Sequence, residues 1–182
     1  MKQDNETDET PVETTRDSAV DIHRPLKNAF SRFATGITVA TCRTRDGASV
    51  AITVNSFTSV SLEPPLVLWC LETKARTYDH FMAADSYGIC VLRADQRALS
   101  DRFAGYPAPG STPPPMRDGP TGAPLLEDCL AWFDCRIVDR HPAGDHVILI
   151  AEVVDFHSEP GPPLVYFASK YVEGLGDKET SS

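Results

Sequence analysis

Apolar and polar residues alternate along two neighbouring segments in the first half of the chain, a pattern that predicts half-buried β-strands. The segments are residues 35–44 (TGITVATCRT) and 49–57 (SVAITVNSF), and between them stand Asp46 and Gly47. An Asp-Gly pair between alternating runs is typical of a tight hairpin turn. We therefore expect the two segments to pair as antiparallel strands.

The rest of the chain also favours strands. We predict strands at residues 65–72, 87–95 and 163–171, and a second hairpin between residues 130–141 and 146–158. Three short helices are predicted at residues 22–36, 76–86 and 95–105, and a proline- and glycine-rich irregular loop at residues 106–124. Six or so strands joined mostly by hairpins indicate a mainly β fold, an antiparallel six-stranded barrel with short helices, and not a doubly wound parallel sheet.

The formal net charge of −9 is concentrated at the N-terminus, where the first 21 residues hold seven acidic side chains against Lys2 and Arg16. That segment has few apolar residues, so we expect residues 1–21 to be a disordered tail. The folded domain is expected at residues 22–174, followed by a flexible tail at residues 175–182. An acidic chain without a basic stripe argues against nucleic-acid and membrane-surface partners.

Cysteine and histidine spacing gives no metal or disulfide signature. The five cysteines form no C-x-x-C pair, which is typical of reduced thiols packed as small apolar groups. His141, Asp145 and His146 match no usual metal-ligand spacing, so no metal site is expected. Together with the absence of an apolar run long enough to span a membrane and of a signal-peptide pattern, this predicts a cytoplasmic protein.

The segment TVNSFTSVSLEPP, residues 53–65, is unusually rich in hydroxyl groups. On the strand that leads into it, one face would be apolar and the other small and polar. The polar face would let a planar, heteroatom-rich ring approach the backbone, but it is equally typical of a strand with one face in water. We expect the alternation to resume after a break at residues 56–57, with Val60 and Leu62 on the apolar face.

Two further positions carry candidate chemistry. Thr77 is predicted to be the N-cap of the second helix with Arg76 beside it, an arrangement that serves either as an ordinary helix start or as a phosphate site. His146 follows the tight turn formed by Gly144 and Asp145, where it is either a strand-end residue or a ligand contact.

Several motifs occur in an order that resembles a known family. They are FSRFATGITVAT, TVNSFTSVSLEPPLVL, RTYDHF, LSDRFAG, LAWFDC, AGDH and PLVYFASKY, and the similarity extends over about residues 24–171. The sequence resembles the short-chain NAD(P)H:flavin reductases with an FMN-binding split barrel, which commonly supply reduced flavin to two-component monooxygenases. The resemblance implies a homodimer in which the partner subunit helps to close the flavin pocket.

The resemblance also implies a set of binding residues. Tyr166, Phe167 and His146 would meet the nicotinamide nucleotide, NADH or NADPH. The sequence departs from the family pattern at Ala75, where many relatives have serine near the phosphate, and at Ala168, where many have arginine. The residues implied to bind FMN or FAD are Ser49, Val50, Ala51, Ile52, Thr53, Asn55, Ser56, Cys70, Leu71, Glu72, Arg76, Thr77, Arg102 and Phe103.

The function implied is hydride transfer from the nicotinamide to the flavin, followed by departure of reduced flavin to a monooxygenase. No side chain need act as an acid, base or nucleophile, because the cofactors carry the redox chemistry and the protein orients them. The alternatives are an oxidase of the pyridoxamine-phosphate type, a non-catalytic flavin-binding or electron-carrier protein, and a structural partner that has lost its ligand.

Overall fold

The computed structural model describes residues 21–172, so the expected tails lie almost wholly outside the described residues. Three short helices are present: α1 (Arg24–Phe30), α2 (Tyr78–Ala83) and α3 (Arg97–Phe103). The first is shorter than predicted, because Thr35 and Gly36 form strand β1 (Thr35–Gly36) instead of the end of a helix. A β-branched residue followed by glycine is a poor helix end but a good partner for another strand.

The main sheet has seven antiparallel strands, one more than the sequence predicted. The strands are β2 (Thr38–Arg43), β3 (Ser49–Val54), β4 (Thr58–Leu62), β5 (Pro65–Glu72), β6 (Ser86–Val91), β9 (Ala131–Ala143) and β10 (His146–Ser158). Along the sheet their order is β3-β2-β6-β9-β10-β5-β4. Both predicted hairpins are confirmed, and Gly47 (φ 84°) and Gly144 (φ 66°) provide the left-handed backbone that their turns require.

Two small sheets complete the fold and correct two predictions. Residues 163–171 do not form one strand: β11 (Val165–Phe167) turns back as β12 (Lys170–Val172), and β11 also pairs with β1. At that turn Ala168 and Ser169 both have positive φ angles, 50° and 62°. The proline-rich segment is not wholly irregular, because β7 (Met116–Asp118) pairs with β8 (Pro124–Leu126).

Strand β4 differs from the expected pattern of faces. Val60 is 50% exposed and Leu62 is 92% exposed, so the predicted apolar face of this strand is not buried within one chain. The irregularity in the ladder lies between Ser59 and Ser61, and residues 55–57 are a bend between β3 and β4. Alternation states which residues share a face, but not which element covers that face.

The interior contains two apolar clusters on opposite sides of β3. Trp69 and Tyr87 belong to the cluster inside the main sheet, against which Val50 and Ile52 pack. The second cluster contains Leu125 and lies under α3 and the small sheets, and Ala51 packs against it. Strand β3 therefore carries one face to each cluster, and its Ala51 face is the one directed at α3.

All five cysteine thiols are free, and four of them are buried. Burial raises the pKa of the Cys42 thiol to about 12, whereas the hydrogen bond with Cys90 lowers the pKa of the Cys129 thiol. Cys42 therefore acts as a small apolar group.

None of the helices between residues 21 and 172 combines the length and hydropathy needed to cross a membrane.

Candidate functional site

The Ala51 face of β3 meets the end of α3 at a cleft of about 320 Å³. The volume is near the lower end of the range of about 300–1,000 Å³ that small-molecule sites occupy. Four of the lining residues were predicted from the sequence, whereas Pro113, Pro114 and Met116 were missed. The complete lining is Ser49, Ala51, Arg102, Phe103, Pro113, Pro114 and Met116.

The three missed residues come from the segment that the sequence analysis assigned to an irregular loop. The sequence feature that could have indicated them is a run of three prolines followed by Met116. A rigid segment with an apolar end is suited to forming the wall of a cleft. What the sequence did not indicate was that this wall would stand opposite Ala51.

The side chains of Val50 and Ile52 pack into the first cluster, away from the cleft. They can therefore contact a ligand only through their backbone groups. Ser49 is exposed at the start of β3, and its hydroxyl accepts a hydrogen bond from Nη1 of Arg43 at 2.7 Å. Asn55 is exposed in the bend after the strand.

Two of the predicted flavin-binding hydroxyls are already engaged within the protein. Thr53 donates from Oγ1 to the carbonyl oxygen of Ser100 in α3 at 2.7 Å. Ser56 Oγ accepts the N–H of Cys70 at 3.0 Å and so joins the bend after β3 to β5. Both residues therefore hold elements of the site together, a role that the sequence analysis did not assign to them.

The β5 residues next to Ser56 have different exposures. Leu71 is completely buried in the first cluster, so its side chain is unavailable to a ligand. Cys70 is half-buried and Glu72 is exposed at the end of the strand. The backbone of β5 pairs with β10 over residues 66–72, and the Cys70 N–H is bonded to Ser56, so the strand offers a ligand the side chains of Cys70 and Glu72.

Thr77 is the residue before α2, as predicted, but its side chain makes no capping hydrogen bond. Its Oγ1 is buried without a partner, and such a hydroxyl lowers stability until it is paired. Arg76 is exposed and reaches the end of α3, because a Cβ built on Gly105 would lie 2.9 Å from its Nη2. The Arg76 guanidinium therefore adjoins the end of the helix that lines the cleft, and Thr77 precedes α2 next to it in the sequence.

Arg102 and Phe103 are brought together at the C-terminus of α3. Arg102 donates from Nη1 to Oγ of Ser111 at 2.7 Å and to the carbonyl oxygen of Ser111 at 3.2 Å. Phe103 packs against the second cluster. Arg102 thus ties the loop after α3 to the helix while its side chain lines the cleft.

The three residues implied to meet the nicotinamide lie on two different sheets. His146 begins β10 opposite Glu72, and Nδ1 of its ring is 2.8 Å from Oδ1 of Asp145, which lowers the pKa of that carboxyl. Tyr166 and Phe167 lie on β11. In residues 21–172 no hydrogen bond or ring contact joins His146 to Tyr166 or Phe167.

A larger cavity of about 950 Å³ lies elsewhere, between the β2–β3 turn, α2 and the loop before β8. None of the predicted site residues lines it. Its wall contains both basic side chains, such as Arg43 and Arg45, and the carboxylates of three aspartates, Asp46, Asp79 and Asp85. The cavity therefore does not favour a ligand of one particular charge. We place the candidate site at the smaller cleft, where small residues and the β3 backbone suit a flat ring and Arg76, at the end of α3, suits a phosphate.

The family model described as "Flavin reductase like domain" matches residues 30–175. An NADH-dependent flavin reductase of a Rhodococcus species is 38% identical over 160 residues, which are 85% of this chain and 89% of that protein. The reductase component of a 4-hydroxyphenylacetate 3-monooxygenase from Thermus thermophilus is 35% identical over 147 residues, 80% of this chain and 93% of that protein. Some relatives are longer, since the chain covers between 43% and 93% of their lengths.

The fold is also similar to that of a solved structure, the NADH:FAD oxidoreductase SgcE6 of Streptomyces globisporus in complex with NAD and FAD fragments. The TM-score is 0.78 at 29% identity, over 87% of this chain and 96% of that one. Sequence and structure therefore agree on a mainly β split barrel with short helices. The chain belongs to the flavin reductase-like family.

Proposed function

We propose that the chain is an NAD(P)H:flavin oxidoreductase that reduces FMN or FAD with NADH or NADPH and passes the reduced flavin to a partner monooxygenase. The single observation that carries this proposal is the cleft between β3 and α3, together with the Arg76 guanidinium that reaches the end of α3. The Rhodococcus, Thermus and Streptomyces relatives support it by their names.

The protein groups at the cleft would bind and orient, and none is needed as an acid or base. The β3 backbone and Ala51 would support one face of the flavin ring, and the flavin supplies the site that accepts the hydride. Arg76 and Thr77 would hold the phosphate by charge-assisted hydrogen bonds. Phe103 would exclude water from the apolar side of the cleft.

A shallow cleft suits a flavin that enters and leaves. Pro113, Pro114 and Met116 cover one side of it, whereas Ser49 at the other is exposed. A flavin retained by an oxidase or a carrier would be expected in a more enclosed site. Release to a monooxygenase, in the cytoplasm where free thiols persist, agrees with this openness and with the five unpaired cysteines.

The proposal is tested by anaerobic absorbance at the oxidised-flavin band, with FMN or FAD and NADH or NADPH added in turn to the purified chain. We expect bleaching of many flavins per protein chain, with a preference for one flavin and one nicotinamide nucleotide. Binding of flavin without bleaching would indicate a carrier, and flavin retained through dialysis and reduced by an amine would indicate an oxidase. If the chain binds neither FMN nor FAD, the assignment of the cleft as a flavin site is wrong.

His146 is expected to contribute to nicotinamide binding and not to flavin binding. The change His146→Ala should raise the KM for NADH several-fold, because a ring that orients the nucleotide is lost, while the flavin Kd stays within twofold. His157→Ala is a matched control, since His157 is also an exposed histidine beside a carboxylate, Glu159. Steady-state kinetics of both variants decide the matter, and unchanged kinetics in His146→Ala would remove it from the site.

We propose further that the chain is a homodimer. No residue of α1 is buried, and Leu26, Phe30 and Phe33 expose 53%, 69% and 78% of their surfaces. Leu62 on the edge strand β4 is almost fully exposed, and Phe156 on β10 is 66% exposed. Exposed apolar residues in such numbers are typical of a surface that another chain covers.

Replacing Leu62 with glutamate is expected to shift the protein from dimer to monomer, because a charge would be buried at an apolar contact. Light scattering coupled to size exclusion measures the mass. Glu127→Lys, a charge change at an exposed site on another part of the chain, is the control and should remain dimeric. A monomeric mass for the unsubstituted chain at micromolar concentration would contradict the dimer.

A further inference from the structure

The hydroxyl of Tyr171 joins strand β12 to helix α3. It donates its one proton to Oδ1 of Asp101 at 3.1 Å and therefore accepts from Oγ of Ser100, which lies 2.9 Å away. Ser100 is completely buried. A buried hydroxyl is stable only when it is paired, so Ser100 depends on Tyr171 for its hydrogen bond.

The same helix is held from its other side by β3. Thr53 donates to the carbonyl oxygen of Ser100 at 2.7 Å, so Ser100 is bound to β3 through its backbone and to Tyr171 through its hydroxyl. Helix α3 has only seven residues, and a helix of that length is not stable by itself. The position of α3 is therefore set by these bonds and by packing. Arg102 and Phe103 follow Ser100 within one helical turn, so their positions depend on the same bonds.

The ring of Tyr171 contacts both neighbouring elements. The guanidinium of Arg97, at the start of α3, lies over the ring 5.0 Å from its centroid. On the other side Tyr166 packs edge-on against it, with centroids 5.5 Å apart and planes at 70°. One side chain thus touches the helix that lines the flavin cleft and the tyrosine implied to meet the nicotinamide.

Tyr171 is also suited to remain a hydrogen-bond donor. Burial raises the pKa of its phenol, with the carboxylate of Asp101 acting in the same direction. The hydroxyl therefore stays protonated at neutral pH and keeps its bond to Asp101. The sequence analysis assigned no role to Tyr171, Ser100 or Asp101.

We propose that Tyr171 is a positioning residue for hydride transfer: it fixes α3 relative to the β11–β12 hairpin, so that the flavin side and the nicotinamide side of the site are held in register. The inference rests on the proposed reductase function. Hydride transfer requires reacting atoms about 3–3.5 Å apart, and a displacement of about 1 Å can lower the rate about a hundredfold. A hydroxyl that joins the two sides should therefore affect turnover more than binding.

The first test compares Tyr171→Phe and Ser100→Ala with the unsubstituted chain. Tyr171→Phe keeps the ring contacts and removes only the hydroxyl, and we expect kcat to fall about tenfold at saturating NADH and flavin. The flavin Kd, measured by fluorescence quenching, should change less than twofold. Because the bond that Ser100→Ala removes is one of the two that Tyr171→Phe removes, the double variant should be little slower than Tyr171→Phe alone.

The control is Tyr106→Phe, which removes the hydroxyl of a tyrosine that is 77% exposed. It should behave as the unsubstituted chain. A kcat for Tyr171→Phe within twofold of the unsubstituted value would overturn the proposal. So would a fall in kcat matched by an equal rise in flavin Kd and a large drop in Tm, since that pattern indicates general loss of structure.

A second measurement does not depend on activity. Hydrogen–deuterium exchange of the ligand-free protein should become several-fold faster in residues 97–105 of Tyr171→Phe, with the strands of the main sheet unchanged. Unchanged exchange in that segment would also overturn the proposal. If the unsubstituted chain reduces no flavin, the proposed function fails, and the exchange result still decides whether Tyr171 fixes α3.

Discussion

Replacing Arg76 with alanine is expected to raise the KM for flavin at least tenfold while leaving kcat at saturating flavin within about twofold. A charge-assisted hydrogen bond contributes about 1.5–3 kcal/mol, which is a factor of about 10–150 in affinity. Arg76 is exposed, so the lower end of that range applies. The effect falls on KM because the phosphate is bound equally before and during hydride transfer.

The measurement is steady-state flavin reduction at two ionic strengths. Arg45→Ala is the matched control, since Arg45 is an exposed arginine on the β2–β3 turn outside the cleft. Arg76→Lys keeps the charge but not the two-pronged geometry, and it should give an intermediate KM. If Arg76→Ala leaves the flavin KM within twofold, the phosphate is bound elsewhere.

Gly88→Ala is expected to lower the free energy of unfolding by about 3 kcal/mol, at the upper end of the usual range of about 1–3 kcal/mol for overpacking. An added Cβ would lie 2.5 Å from Oγ1 of Thr41, 2.7 Å from Cδ2 of Leu125 and 2.7 Å from the carbonyl oxygen of Pro124. One of these atoms belongs to the backbone, and Thr41 and Leu125 are completely buried, so none can move freely.

Thermal unfolding followed by circular dichroism measures the effect, and we expect Tm to fall by about 6–12 °C. Gly36→Ala is the matched control, because a Cβ at Gly36 meets no atom within 4 Å and this glycine has no left-handed φ. It should unfold within about 2 °C of the unsubstituted chain. An equal Tm for Gly88→Ala would mean that strand β6 and the β7–β8 hairpin do not pack as described.

The strands were predictable because their signals are local. The alternation of apolar and polar residues and the turns at Asp46-Gly47 and Gly144-Asp145 depend only on neighbouring residues. Both hairpins form where the sequence predicts them. The ends of elements were less predictable. The prediction extends the first helix too far, because the pairing of Thr35 with Tyr166 joins residues far apart in the sequence. It gives residues 163–171 as one strand, because the turn between β11 and β12 uses Ala168 and Ser169, two residues that seldom adopt a positive φ.

The sequence allowed many residues of the candidate site to be named, but it did not indicate the contacts that each of them makes. Resemblance to the family placed the set along β3, β5, α2 and α3, and the cleft brings Ser49, Ala51, Arg102 and Phe103 together. Thr53 is predicted to contact flavin, and the structure gives its hydroxyl a second role, the bond that holds α3. A hydroxyl has many possible partners, and only the fold decides which of them comes within 3 Å.

A mainly β domain, the two hairpins, the thiol chemistry and membership of the flavin reductase-like family can be predicted from the sequence, since each depends on local pattern or on motifs in order. The fold is needed to know which face of β3 meets the cleft, that the proline-rich segment forms a wall, and that Tyr171 and Ser100 connect α3 to the small sheet. The bonds of Ser100 to Thr53 and to Tyr171 join residues 47 and 71 positions apart, and local sequence pattern carries no information on such pairings.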